Sequence, residues 1–369
     1  MKIILVSRCS WTLYNFRAGL IRALRGKGCE VLGGGAGGDG FEARVEELGV
    51  SFRSLPIRIR GMNPIADLWL IYFLYRWYRS ENPDVVHHFT IKPVIYGSIA
   101  ARLAGVPRIV NTVTGLGFVF TTVKMTWLRA LVEKMYRIGL GCANVVCFQN
   151  RDDRELFVGR GLVDAARTQV VPGSGVDTGR FVPSPRVAGE GIVFLFVGRI
   201  LRDKGVCEFV EAARRVKAKH PMASFTLLGR RDERNPTVVL QRELDAWQEE
   251  GVVRWMGEVE DVRPVLAESD VVVLPSYREG APRSLMEAAA MAMPIIATDV
   301  VGCREVVEDR VNGLLVPARD AVKLAEAMTW MIEHPEDRVR MGRAGRLKME
   351  NEFDERLVIE KTLGLYQSP

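Results

Sequence analysis

The chain has 369 residues, 48% hydrophobic and 26% charged, too long for one ordinary core and too apolar for disorder as its main state. Six cysteines are scattered without a C-x-x-C pair, which excludes a disulfide scaffold and a zinc ribbon and fits reduced thiols in a cytoplasm. The net charge is +6, yet residues 51–140 hold 12 Lys and Arg against 4 Asp and Glu, while the remainder is near balance at 39 against 41.

Met1–Ser7 runs directly into an apolar strand with no small-residue cleavage site after it, so no signal peptide is expected. No stretch reaches the ~20 apolar residues of a membrane span. Lys2–Ser7 predicts a strand and Trp11–Arg25 a helix; further buried strands follow at Asp84–Val86, Arg108–Val113 and Val145–Phe148. In the second half Ile192–Val197, Ser224–Leu228, Val271–Leu274 and Ile295–Ala297 repeat the type. Between them lie helices such as Val206–Lys219, where Val206, Phe209, Val210 and Ala213 fall on one face. The alternation predicts an α/β chain with two doubly wound, Rossmann-like domains facing a central cleft. The turn-rich run Val171-Pro172-Gly173-Ser174-Gly175, with Pro183 and Pro185 after it, places the boundary between domains at 1–172 and 173–350.

Gly33, Gly35 and Gly38 match G-x-G-x-x-G literally. They follow the second strand rather than the first, and no acidic residue stands ~20 positions on, as a dinucleotide site requires. The tract is expected to be a flexible strand-to-helix loop.

Two segments of the second half suit a phosphorylated ligand. Gly198-Arg199-Ile200-Leu201-Arg202-Asp203-Lys204-Gly205 leaves one strand and enters a helix, and helix N-terminal amides favour anions. Alone, Arg199 and Lys204 read better as exposed surface cations. Pro275 to Glu287 leaves the strand Val271–Leu274, with Pro282 suited to a helix start, Glu279 in the loop and Glu287 in the helix. Carboxylates so placed accept hydrogen bonds from sugar hydroxyls; alone, they also suit a helix N-terminal dipole. Both segments in one half are more specific than either.

On these residues the chain resembles the retaining glycosyltransferases of family 4, which have the GT-B fold. The basic motif is Gly198-Arg199 with Asp203-Lys204-Gly205, and the E-x7-E motif runs from Glu279 to Glu287. Gly175-Val176-Asp177 is similar to the family's linker, and Asn312-Gly313-Leu314-Leu315-Val316-Pro317 to its late stretch. The resemblance implies that Gly198, Arg199, Lys204, Gly280, Ala281, Ser284, Leu285 and Glu287 bind the donor. Arg199 and Lys204 would meet its diphosphate, Glu287 its ribose and Glu279 the transferred sugar. It also implies that a last helix, about 351–369, packs back on the first domain. Trp11-Thr12-Leu13-Tyr14-Asn15-Phe16-Arg17, Thr114-Gly115-Leu116-Gly117 and Gly229 to Pro236 are similar to a bacterial branch that builds surface polysaccharides and lipid-linked oligosaccharides. That branch includes the N-acetylgalactosaminyltransferases that extend diacetylbacillosamine on undecaprenyl diphosphate. Ser10, Arg17, Thr114 and Gly115 are accordingly expected on the acceptor side.

Two departures matter. The first loop, Arg8-Cys9-Ser10-Trp11, lacks the family's Gly-Gly pair, and Val113-Thr114-Gly115 lacks its histidine. His88, with His87 beside it, becomes the candidate catalytic histidine at a strand's carboxyl end.

Six aromatics crowd residues 69–78: Trp69, Tyr72, Phe73, Tyr75, Trp77 and Tyr78, flanked by Arg58, Arg60, Arg76 and Arg79. Residues 122–140 add Met125, Leu128, Leu131, Met135 and Ile138 at helical spacing, between Lys124, Arg129, Lys134 and Arg137. Such faces suit an anionic bilayer surface, with Trp69, Phe73 and Trp77 inserted and Arg76 and Arg79 at the headgroups; packed core is the alternative. The expected activity is transfer of a sugar, an N-acetylhexosamine such as GalNAc, from a UDP-sugar to an undecaprenyl-diphosphate-linked sugar at the cytoplasmic face of the inner membrane. No D-x-D motif is present, so no metal and no cofactor are expected, nor any nucleic acid. The rivals are a sugar-nucleotide epimerase of similar fold, disfavoured by the basic aromatic stretch, and a basic nucleic-acid-binding protein, disfavoured by the Glu279/Glu287 pair.

Overall fold

A computed structural model describes residues 1–58, 63–115, 126–184 and 191–367. Arg60, Leu116, Gly117, Lys124, Met125 and Pro185 lie outside these. The chain divides into two units, Met1–Ser174 with Glu355–Pro369, and Gly175–Asp354. The division falls two residues past the 172/173 boundary expected above.

The first unit alternates β1 (Lys2–Cys9), α1 (Ser10–Gly26), β2 (Glu30–Ala36), α2 (Glu42–Glu46), β3 (Ser51–Ser54), α3 (Pro64–Glu81) and β4 (Val85–Phe89). A π-helical turn at Pro93–Gly97 then leads into α4 (Ser98–Ala104), followed by β5 (Arg108–Val113), α5 (Thr126–Gly141), β6 (Val145–Phe148), α6 (Arg151–Gly159) and β7 (Thr168–Val170). The sheet order is β3-β2-β1-β4-β5-β6-β7, every pairing parallel, and it reverses direction between β1 and β4. One face is covered by α3, α4, α5 and α6 over Ile4, Val6, Leu74, Trp77 and Tyr136. The other carries α1, α2 and the last helix over Ile3, Leu5, Leu13 and Val45.

Helix boundaries follow local chemistry. Asn63 caps α3 by accepting from the Ala66 amide at 3.1 Å, Pro64 opens its first turn, and Asn82 ends it in the left-handed region at φ 46°. The glycine tract is a loop only at its end, from Gly37 on. Gly33, Gly34 and Gly35 lie within β2, and two of them remove a clash: a Cβ on Gly34 would stand 2.7 Å from the Trp77 ring, and one on Gly35 3.0 Å from the Ser7 carbonyl. Small residues here let β1 and α3 approach the strand closely.

The second unit runs β8 (Val193–Val197), α7 (Val206–Lys217), β9 (Ser224–Leu228), α8 (Gln241–Glu249), β10 (Arg254–Trp255), α9 (Arg263–Ala267) and β11 (Val271–Leu274). It continues with α10 (Arg283–Ala290), β12 (Ile295–Thr298), α11 (Cys303–Val306), β13 (Gly313–Val316), α12 (Ala321–Glu333) and α13 (Pro335–Lys348). Its order, β10-β9-β8-β11-β12-β13, is again wholly parallel and reverses between β8 and β11. The central strands are apolar on both faces, as a doubly covered sheet demands. The chain then returns to the first unit through α14 (Glu355–Gly364), whose Val358 and the following Leu365 and Tyr366 join that unit's core.

Candidate active site

In the second unit the two sequence segments leave neighbouring strands at the reversal point, where open α/β sheets bind ligands. Residues 198–205 follow β8 and residues 275–282 follow β11. Gly205 holds φ 74°, and a Cβ there would lie 2.0 Å from the Pro275 carbonyl oxygen, so only glycine lets the loops meet. The Tyr277 amide donates to the Asp203 carbonyl at 2.9 Å, and the Thr298 hydroxyl donates to the Ser276 carbonyl.

These contacts bring Lys204 onto Glu279: its ammonium forms an ion pair with Glu279 Oε1, with both side chains largely covered. Arg199 is exposed and lies 3.4 Å from Asp232 Oδ2. Glu287 sits in α10, where Arg283 Nε donates to it at 2.9 Å. Burial raises the Glu287 pKa and the Arg283 charge opposes that rise. Gly280, Ala281 and Ser284 are half-covered beside these groups at the start of α10, and Gly198 is half-covered where β8 ends. Leu285 differs from the rest: its side chain is wholly buried in the core and its amide already donates to the Pro282 carbonyl at 3.1 Å, so it offers a ligand nothing.

Supports here escaped the sequence reading. A Cβ on Gly302 (φ 82°) would meet the Glu279 carbonyl at 2.6 Å, so α11 presses against the glutamate loop. Tyr277 donates to Glu208 Oε1 at 2.6 Å, tying that loop to α7, and the Arg319 guanidinium lies 4.5 Å over its ring. Glycine at Gly302 was a legible signal; the tyrosine bond, across 69 residues, was not.

The first unit corrects several expectations. β4 extends to Phe89, so His87 and His88 lie inside the strand, fully buried. His88 Nε2 is 3.0 Å from the Tyr78 hydroxyl and its Nδ1 3.0 Å from Asn111 Oδ1; burial lowers its pKa to about 4. With both ring nitrogens engaged inside the core it is a structural histidine, not a catalytic one. His87 likewise bridges Tyr366 and Thr112, each at 2.7 Å. Ser10 is buried and its hydroxyl donates to Asp39; Arg17 is buried with its guanidinium 4.1 Å above the Phe89 ring. Both are engaged by partners within the first unit. Thr114 and Gly115 are half-buried where β5 ends.

On α3, Trp77 is only 2% exposed and Phe73 half-covered, whereas Trp69 is 55% exposed. Helical phase explains the split: at 100° per residue Trp77 lies about 80° round from Trp69, on the core side. The exposed arc runs the other way, through Ile65, Leu68, Trp69 and Tyr72, then Arg76 and Arg79. On α5 the exposed side carries Trp127, Leu131 and Ile138 with Lys134 and Arg137. Among the described residues no helix is long and apolar enough to cross a membrane.

Known proteins carry the same pattern. A family model described as glycosyl transferases group 1 matches residues 191–334, and one described as a glycosyl transferase 4-like domain matches residues 16–173. The N,N'-diacetylbacillosaminyl-diphospho-undecaprenol alpha-1,3-N-acetylgalactosaminyltransferase of Campylobacter jejuni is 27% identical over 99% of this chain and 98% of its own length. The UDP-Gal:alpha-D-GlcNAc-diphosphoundecaprenol alpha-1,3-galactosyltransferase of Escherichia coli is 29% identical over 85% of this chain and 82% of its own. Among solved structures, Anabaena HepE in complex with UDP and glucose superimposes with a TM-score of 0.80 at 18% identity, over all of both chains. Sucrose-phosphate synthase from Thermosynechococcus elongatus gives 0.81 at 19%, over 99% of this chain and 98% of its own. With one model on each unit and the fold shared end to end, the chain belongs to the group 1 glycosyltransferases with a 4-like N-terminal domain, on the GT-B fold.

Proposed function

We propose that the protein is a retaining transferase that moves an N-acetylhexosamine, such as GalNAc, from its UDP derivative to a sugar on undecaprenyl diphosphate. The observation that carries this reading is the meeting of Lys204 and Glu279 at the reversal point of the second sheet. There a cation for a diphosphate and a carboxylate for sugar hydroxyls stand side by side. Lys204, Arg199 and the first amides of α10 would bind the diphosphate, and Glu287 the ribose hydroxyls. The acceptor hydroxyl attacks C1 on the face from which UDP departs. The C1–O bond to phosphate breaks with its electrons going to UDP, and the acceptor proton passes to the departing phosphate oxygen. Cations fixed beside that oxygen stabilise the charge as it grows, and no metal is needed in this reading.

Both named relatives act on diphospho-undecaprenol sugars, which supports a lipid-linked acceptor. The exposed apolar and basic residues of α3 and α5, two helices on one face of the first sheet, support peripheral contact with an anionic membrane. The test is purified protein mixed with labelled UDP-sugars, with and without lipid-linked acceptor, in chelator. Transfer that requires the acceptor, with the product's anomeric configuration matching the donor's, supports the reading; no transfer from any UDP-sugar overturns it.

A further inference from the structure

The first sheet has its own reversal point, between β1 and β4, and the residues just past it belong to neither donor segment. Arg8, near the end of β1, and Thr90, just past β4, each stand two positions beyond Val6 and His88, the last residues these two strands pair with each other. Three observations set the place apart. Thr90 holds φ 70°, the left-handed region, which a β-branched residue adopts only under strain. Its hydroxyl is closed off from solvent without a hydrogen-bond partner, and so is the Nε of Arg8. Among the described residues very few buried polar side-chain atoms lack a partner, and two of them fall at this one strand pair.

The segment after Thr90 is held firmly. The Thr90 carbonyl accepts from the Val94 amide at 3.0 Å, opening the turn that becomes the π-helical segment Pro93–Gly97. Lys92 and Tyr96 both reach Asp67 of α3, at 2.7 and 2.9 Å. Gly139 of α5 packs so closely on this segment that a Cβ would lie 2.7 Å from the Ile95 Cα. A strained residue persists where its surroundings over-determine it, and π-helical insertions gather at functional sites. Two buried donors, one a guanidinium, ask for an oxygen-rich anion.

We infer that Arg8 and Thr90 form an oxyanion subsite of the first unit that takes a phosphate oxygen of a diphosphate substrate. This rests on the proposed transfer between a nucleoside diphosphate sugar and a polyprenyl diphosphate sugar, either of which carries that group. The test is calorimetric titration of the full chain with UDP and, separately, with a short-chain polyprenyl-diphosphate sugar. Arg8→Gln should weaken one of the two about tenfold or more, and Thr90→Val should weaken the same one several-fold, while Thr90→Ser keeps it. Loss confined to the polyprenyl ligand assigns the subsite to the acceptor; loss confined to UDP assigns it to the donor. Arg8→Lys, which keeps charge but not the fork, should give a smaller loss on the same ligand and serves if Arg8→Gln does not fold. Folded Arg8→Gln and Thr90→Val with wild-type affinity for both ligands would overturn the subsite and leave the proposed transfer standing. A wild-type protein that binds neither ligand would remove both.

Discussion

Glu279→Gln should act on UDP and on UDP-sugar in opposite directions. In the unliganded protein Lys204 is not idle: it is paired with Glu279, and the two side chains are 21% and 11% exposed. A diphosphate must draw the ammonium from that carboxylate or share it. Fully exposed pairs are worth about 0.2–1 kcal/mol. This one is mostly covered, so about 1 kcal/mol or slightly more is a reasonable magnitude. Removing the carboxylate's charge releases that competition, and UDP, which has no sugar for Glu279 to meet, should bind about five- to tenfold more tightly. With the whole donor the same substitution removes the proposed contact to the transferred sugar, so turnover should fall. Titration calorimetry with UDP, beside steady-state transfer rates, reads both signs. Lys204→Ala is the control: it should weaken UDP about tenfold, because a charge-assisted phosphate bond is lost outright. UDP binding that is unchanged or weaker in Glu279→Gln would refute the idea that the carboxylate competes with the ligand for Lys204.

Gly34→Ala should destabilise the first unit by about 1–3 kcal/mol in urea melts, since its Cβ would press on the buried Trp77 ring, whereas Gly26→Ala, with open space around it, should not. His88 has a folded-state pKa near 4, below the usual 6.5, so the unfolded chain takes up the proton more readily. Its contribution is whole above about pH 6.5 and is lost as pH falls toward 4, about 3 kcal/mol in all; urea midpoints from pH 7.5 to 4.5 should fall more steeply for wild type than for His88→Gln. Trp69→Ser with Tyr72→Ser should reduce sedimentation with anionic vesicles and leave stability nearly unchanged, whereas Trp77→Ser should unfold the unit. Binding should weaken as salt rises, and wild type that ignores anionic vesicles at low salt would remove the membrane contact.

What the sequence disclosed and what it hid divide along physical lines. Uninterrupted apolar runs such as Val271–Leu274 announce central strands because a doubly covered sheet needs apolar side chains on both faces. That the two segments proposed for the donor each follow a strand was legible because each joins that strand to a helix within the local chain. The last half of β2 was hidden because Gly33, Gly34 and Gly35 carry no strand propensity; Gly34 is there for Trp77 and Gly35 for β1, contacts made by distant sequence. His88 misled because a strand's end is poorly marked, and three further residues of pairing turn a rim position into an interior one. The aromatic cluster misled by phase: composition shows six rings in ten residues, but only the helix axis relative to the core decides that Trp69 faces out and Trp77 in.

The two sheets share a topology, yet both segments proposed for the nucleotide lie on one, and a single side chain helps explain it. At the start of α1 Asp39 occupies the ground a ligand anion would want: it accepts from the Trp11 amide at 3.0 Å and from the Ser10 hydroxyl. Burial opposes its charge, but those hydrogen bonds outweigh it and keep the carboxyl below its usual range. The helix therefore supplies its own anion, from the end of the same glycine tract that imitates a dinucleotide fingerprint. At the start of α7 there is no such carboxylate cap. Gly205 leads into the helix, Lys204 stands before it, and the Lys204 charge is held by Glu279, a group from another strand's loop. One terminus is closed by a partner local to its own fold; the other is held by an ion pair between two loops, which a diphosphate can compete for. That difference, rather than glycine count, is what supports the second unit as the proposed seat of the nucleotide.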